Sequence, residues 1–213
     1  HKYAIMKKKT LIFGSLATVF LLTACTAPPE DFDFDFDRDR DRFEALDELT
    51  EEVAVETREV NGLYSMDIPT ILNSTTDLND DASLQYNSLY NEKYIIVIDE
   101  DKQEFVDAFI KIDEYDKSIS VVDNYANVQL AFMDESVTVS EESSLKSMKI
   151  NGMDARVKAM DGTILGVPEE ISYWLGYVEG EETLYTITAW TLKSRKSSFE
   201  KEANDMINSL KEL

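Results

Sequence analysis

Asn151-Gly152 narrows the fold more than any other pair of residues in this chain. It lies between two half-apolar runs, 145–150 and 153–160. Asn-Gly supplies the two positive φ angles of a type I′ turn, and the twist of that turn matches a pair of antiparallel strands. A hairpin is therefore predicted here, and a second one follows by the same logic at Asn61-Gly62. There Val53, Val55 and Thr57 alternate before the turn, Tyr64, Met66 and Ile68 alternate after it, and Pro69 stops the strand. Residues 70–82 read as a polar loop. Further strands are predicted over 83–90 and 93–99, joined by Asn91-Glu92. Asp161-Gly162 is expected to end the second hairpin. Ile171, Tyr173, Leu175 and Tyr177 alternate, Glu179-Gly180-Glu181-Glu182 turns the chain, and 184–192 returns as a strand containing Trp190.

Helical spacing appears in four places. Leu46, Leu49 and Val53 suggest a short helix over 43–52. Asp101 with Glu104 three residues on is a capping box, and Phe105, Phe109 and Ile112 share a face of the helix predicted over 102–117. Val121, Tyr125, Val128 and Phe132 mark another over 120–133. Ser197 and Glu200 read as a capping box before the stripe Phe199, Ala203, Met206 and Leu210. Antiparallel hairpins with amphipathic helices between and after them make an α+β protein, an antiparallel sheet flanked by helices.

The N-terminal region has a different logic. Met6 reads as the start, Lys7, Lys8 and Lys9 follow it, and residues 11–22 are an apolar run ending in Leu22-Thr23-Ala24-Cys25. The run is shorter than the ~20 residues a spanning helix needs and has the length of a signal-peptide core. This order resembles the leader and lipobox of bacterial lipoproteins. The resemblance implies a signal peptide over 1–24, cleavage before Cys25, and a lipid on the Cys25 sulfur and often on the new amine. Two or three acyl chains hold a protein stably on a membrane, where one is marginal. Thr26 is not the Asp that resembles an inner-membrane retention signal. That points to the outer membrane if the cell is Gram-negative, with a Gram-positive envelope left open.

Residues 26–42 read TAPPEDFDFDFDRDRDR. Six aspartates on one side of a strand would repel each other, so the segment is expected to be a disordered acidic tether. Its 17 residues would reach about 55–60 Å when extended. One globular domain is expected over 43–213. The leader holds four lysines and no acid, so the chain from Cys25 onward has 17 basic against 43 acidic residues. Such a surface repels nucleic-acid phosphates. It also suits cations or basic partners. The one histidine is His1 and the one cysteine is Cys25. The domain thus lacks the residues for Ser-His-Asp or Cys-His catalysis and for the usual zinc sites. A non-enzymatic role is expected.

Tyr64-Ser65-Met66-Asp67-Ile68-Pro69, the hairpin at Asn151-Gly152-Met153-Asp154-Ala155, the strand from Tyr185 to Thr191, and the closing Ile207-Asn208-Ser209-Leu210 resemble the Mog1/PsbP-like superfamily over about residues 60–213. The resemblance implies an α/β/α sandwich and non-enzymatic roles. In place of the Gly-Trp pair that often follows the first strand's proline in that group, this chain has Thr70-Ile71.

Two groups of residues are candidate sites. Asp77, Asn79 and Asp81 begin a D-x-N-x-D pattern of the kind that ligates Ca²⁺. An EF-hand is excluded because its glycine position is Ala82 and its closing glutamate position is Ser88. Trp174 and Trp190 lie in an aromatic-rich hairpin, and any of these rings left uncovered would suit a partner. Paired carboxylates at Glu169-Glu170 and Glu181-Glu182 are a third, catalytic alternative. The expectation is a membrane-anchored lipoprotein of the cell envelope, its domain a protein-interaction module for another envelope protein. A Ca²⁺-binding envelope lipoprotein is the alternative.

Overall fold

The computed structural model describes residues 53–213. The leader, Cys25, the tether and the helix expected over 43–52 lie outside the described residues. The chain opens with the hairpin β1 (Val55–Val60) and β2 (Tyr64–Pro69), then β3 (Asn73–Ser74), β4 (Leu84–Ser88) and β5 (Lys93–Asp101). Helices α1 (Lys102–Lys111) and α2 (Val121–Ser136) follow. The strands β6 (Val137–Glu142), β7 (Lys146–Ile150), β8 (Met153–Ile164), β9 (Ile171–Glu179) and β10 (Thr183–Leu192) come next. A 3-10 turn over Lys193–Arg195 leads into α3 (Lys196–Ser209), and β11 (Lys211–Glu212) closes the chain.

Both Asn-Gly pairs turn as predicted. Asn61 and Gly62 have φ of 51° and 70°, and Asn151 and Gly152 have 48° and 92°. The large sheet has eight strands, in the order β3-β4-β5-β10-β9-β8-β6, with β7 also on β8. A smaller sheet has the order β1-β2-β11. Its middle strand is flanked by the first and last strands of the domain, all antiparallel.

Period-two alternation sends the residues of β5, β9 and β10 to two separate cores. On one face Ile95, Val97, Trp174, Val178, Tyr185 and Ile187 meet Phe199, Ala203 and Met206 of α3 and Tyr64, Met66 and Ile68 of β2. On the other, Tyr94, Ile96, Tyr173, Leu175, Tyr177 and Trp190 share a core with Phe105 and Phe109 of α1 and Tyr125 of α2. The layers are thus helices, large sheet, and helix with small sheet, which is the expected α/β/α arrangement. Gly176 has a packing reason: an added Cβ would lie 2.9 Å from an Ile207 methyl carbon of α3.

Several local expectations are corrected. The helix from Lys102 stops at Lys111, because Asp113 takes the left-handed conformation at φ 59° and the Glu114 N–H returns to the Phe109 carbonyl. Its N-cap is as predicted: Asp101 Oδ1 accepts from the Glu104 N–H at 2.7 Å. Ser197 and Glu200 form no capping box, since α3 continues from the 3-10 turn with Arg195 at its N-cap. Asp161-Gly162 does not end β8. Both residues pair with β6 and β9, and β8 runs on to Ile164. The strand from residue 83 ends at Ser88, leaving Leu89 and Tyr90 in the turn.

Candidate functional site

The aromatic hairpin is buried on both faces. Trp174 is 2% exposed and stands edge-on to Phe199 of α3, ring centroids 5.6 Å apart. Trp190, on the other face, stacks on Tyr94 at 5.3 Å with the planes 9° apart. Alternation along β9 and β10 sends the two tryptophans to opposite faces of the sheet. Both faces are covered, so both tryptophans belong to cores. Burial likewise pushes the Tyr173 hydroxyl up to about 12. Beside Trp190 a dimple of about 10 Å³ is lined by Glu92, Tyr94, Val167, Ile171 and Leu192, space for a single water at most.

The acid-rich loop is organised around a residue that sequence reasoning missed. Gln85 of β4 is buried. Its Oε1 accepts from the N–H groups of Leu78 and Asn79 at 2.9 and 3.1 Å, and its Nε2 donates to the Asn79 carbonyl at 2.6 Å. An amide can satisfy donors and acceptors together, which suits a buried loop backbone. Asn79 is buried as well, and its Oδ1 accepts from the Asp81 N–H at 2.8 Å. Asp77 and Asp81 are exposed. The three candidate calcium ligands therefore divide: two carboxylates face solvent, and the amide oxygen between them is taken by an Asx turn. Among the described residues no group of three His, Cys, Asp or Glu side chains is placed to hold a metal ion. Between this loop and β1 runs an open groove of about 330 Å³, lined by Arg58, Glu59, Ser74, Thr76 and Tyr86 among others.

The densest charged cluster was also missed as a site. Asp161 is 1% exposed. It accepts from Ser172 Oγ at 2.7 Å and from Lys196 Nζ at 3.0 Å, with Lys193 Nζ at 3.4 Å. Lys193 also bonds Glu170 at 2.9 Å. Burial pushes the Asp161 carboxyl up, but the Ser172 hydroxyl and the two ammoniums outweigh it and hold it below the usual aspartate range. Lys193 is raised, first by its bond to Glu170. The cluster ties the start of α3 and the turn before it to the sheet. The basic run Lys193, Arg195, Lys196 was visible in the sequence. Its buried partner some 30 residues earlier was not.

A second polar network lies on the α2 face. Tyr125 donates to Glu100 Oε2 at 2.5 Å, Gln129 donates to the same oxygen at 3.0 Å, and Thr186 donates to the Tyr125 hydroxyl at 2.9 Å. Burial raises the Glu100 carboxyl above its ordinary range. Asp81 and Asp99 add to this, and the Tyr125 hydrogen bond only partly offsets it. The catalytic candidates do not converge into such a network. Glu170 is committed to Lys193, and Glu181 offers its N–H to Glu212 at 2.8 Å.

The arrangement is a PsbP-like α+β sandwich. The cyanobacterial PsbP (CyanoP) of Synechocystis shares it at a TM-score of 0.50 and 8% identity, over 76% of this chain and 94% of that one. The Ran-binding protein Mog1p of Saccharomyces cerevisiae aligns at 0.47 and 10% identity, over 75% and 95%. LpqN of Mycobacterium tuberculosis, involved in cell envelope biogenesis, aligns at 0.44 and 10%, over 76% and 91%. No family model and no curated protein sequence matches the chain. Among the described residues no helix is long and apolar enough to cross a membrane.

Proposed function

We propose that this chain is a lipid-anchored bacterial envelope protein whose domain is a non-enzymatic protein-interaction module. One observation carries the reading. Lys7, Lys8 and Lys9, the apolar residues 11–22 and Leu22-Thr23-Ala24-Cys25 stand in the order of a lipoprotein leader. The domain that follows supports it. Most of its rings pack in two cores and its buried charged groups tie elements together, which leaves a charged outer surface for recognition. Labelled palmitate is expected to enter the wild-type chain in cells and not Cys25→Ser. Label in both, or in neither, would overturn the anchor. Crosslinking intact cells, with wild type beside Cys25→Ser, then tests the module: an envelope protein enriched only with the wild type is the expected result.

A further inference from the structure

Among the described residues, the three most exposed of the large apolar side chains lie at one end of the large sheet. Antiparallel pairing puts the β4–β5 turn, the β8–β9 loop and the 3-10 turn after β10 at one end of the large sheet, since Ser88 pairs Lys93 and Leu192 pairs Ile171. At that end Leu165 is 100% exposed, Tyr90 90% and Leu89 69%. The loops form one surface. Arg195 Nη1 donates to the Tyr90 carbonyl at 3.5 Å, and the Lys193 N–H donates to the Glu170 carbonyl at 2.8 Å. Single exposed apolar residues are ordinary on a protein surface. Three on adjoining loop tips mark a contact site.

The same end receives the N-terminal segment. The Thr70 N–H bonds the Ala54 carbonyl, Val55 pairs Pro69, and three residues later Asn73 pairs Asn87, next to Ser88 and the Leu89-Tyr90 turn. The half-exposed Ile71 lies in this junction. So Val53 and Ala54, the first described residues, lie at the end that bears the apolar tips.

Charge differs between the ends in the same sense. Segments 88–93, 164–171 and 192–197 carry four basic residues (Lys93, Lys193, Arg195 and Lys196) against Glu92, Glu169 and Glu170. The α2–β6 junction adds Asp134 and Glu135. At the opposite end, segments 99–102, 150–154 and 178–183 carry Lys102 against seven acids. Lys93 is paired with Glu202, and Lys193 and Lys196 with Asp161, so the apolar end is acidic as well, but less so than the opposite end, and a lipid surface repels it less.

We infer that the domain docks on the lipid bilayer with this end down, inserting Leu89, Tyr90 and Leu165. The inference rests on the lipid-anchor reading. It needs little intrinsic affinity, because a chain fixed at Cys25 meets the bilayer at the effective concentration its linker sets. The acid-rich end then faces away from the membrane, toward any partner.

The test starts from the chain beginning at Cys25, coupled through that thiol to a maleimide phospholipid in phosphatidylcholine vesicles. Amide hydrogen exchange is compared with the same chain, thiol blocked, free in solution. Residues 89–92 and 165–167 are expected to exchange about tenfold more slowly on the vesicles, with 61–63 and 180–182 unchanged. The double variant Tyr90→Asp, Leu165→Asp, at two solvent-exposed positions, should lose that protection while keeping the rest of the exchange pattern. Equal exchange with and without vesicles overturns the inference. So does protection that grows with protein concentration in free solution, which would assign the tips to a second copy of the chain. Chemical coupling makes this result independent of whether the cell acylates Cys25, which palmitate labelling decides separately.

Discussion

Asp161 and Glu100 are both carboxylates withdrawn from water on the same sheet, yet their surroundings act on them in opposite senses. Asp161, on β8, meets two ammoniums and a hydroxyl and is held below its usual range. Glu100, on β5, meets a phenol and an amide with acidic neighbours, and is held above its range. The contrast shows what a buried acid costs here. Ammoniums offset the loss of hydration of a charge, while a tyrosine hydroxyl offsets it only in part. Asp161 therefore acts as an anion that fastens α3, and Glu100 is the carboxyl whose ionisation the fold disfavours.

Breaking the Asp161 cluster should have the largest effect. Asp161→Ala removes the shared anion of Lys193 and Lys196. Breaking a buried pair costs roughly 3–5 kcal/mol, but these lysines, about a third exposed, can turn to water, so a loss of about 2–3 kcal/mol is expected in urea denaturation. Tyr125→Phe should cost less, about 1–2 kcal/mol, because it leaves Glu100 with Gln129 alone and Thr186 without its acceptor. The smallest effect is a divergence with pH. The folded chain holds the Glu100 proton more tightly than the unfolded chain does. That stability is fully present below the unfolded glutamate value and is lost as pH rises through the raised folded value. Asp161 has the opposite sign: its contribution is present above the unfolded aspartate value and is lost as pH falls through the depressed folded value. Glu100→Gln should therefore gain on wild type in urea midpoint as pH rises from about 4, and Asp161→Asn should close on it as pH falls below about 4. Parallel pH profiles would erase the distinction between the two carboxyls.

These carboxyls also mark how far the sequence could be read. Signals carried by adjacent residues were legible: both Asn-Gly turns, the Asp101 cap, and the alternation in β9 and β10. Together with the family resemblance they were enough for the α/β/α class. Features set by distant residues were not legible. Asp161-Gly162 looks like a turn because its local chemistry is that of a turn. In the fold, Lys193 and Lys196 neutralise the aspartate, and the glycine admits the β6 backbone, an added Cβ falling 2.8 Å from the Thr138 carbonyl oxygen. Strand β6 was missed because it follows α2 with no intervening loop. The candidate sites show the same division. The residues of loop 77–81 were visible, whereas Gln85, which folds that loop over itself, belongs to a strand several residues later. The fate of Trp174 and Trp190 depended on helices that come from other parts of the chain.

The placement of β11 has a consequence for the order of folding. Lys211 and Glu212 pair with Ser65 and Tyr64, and Glu212 accepts from the Glu181 N–H and the Tyr185 hydroxyl. The small sheet therefore takes its third strand from residues that follow α3, and α3 and β2 together cover one face of the large sheet. Until residues 196–212 have been made, that face of the large sheet stays uncovered and the β1–β2 hairpin lacks a partner strand. The opening hairpin and the large sheet therefore close together, in one late step.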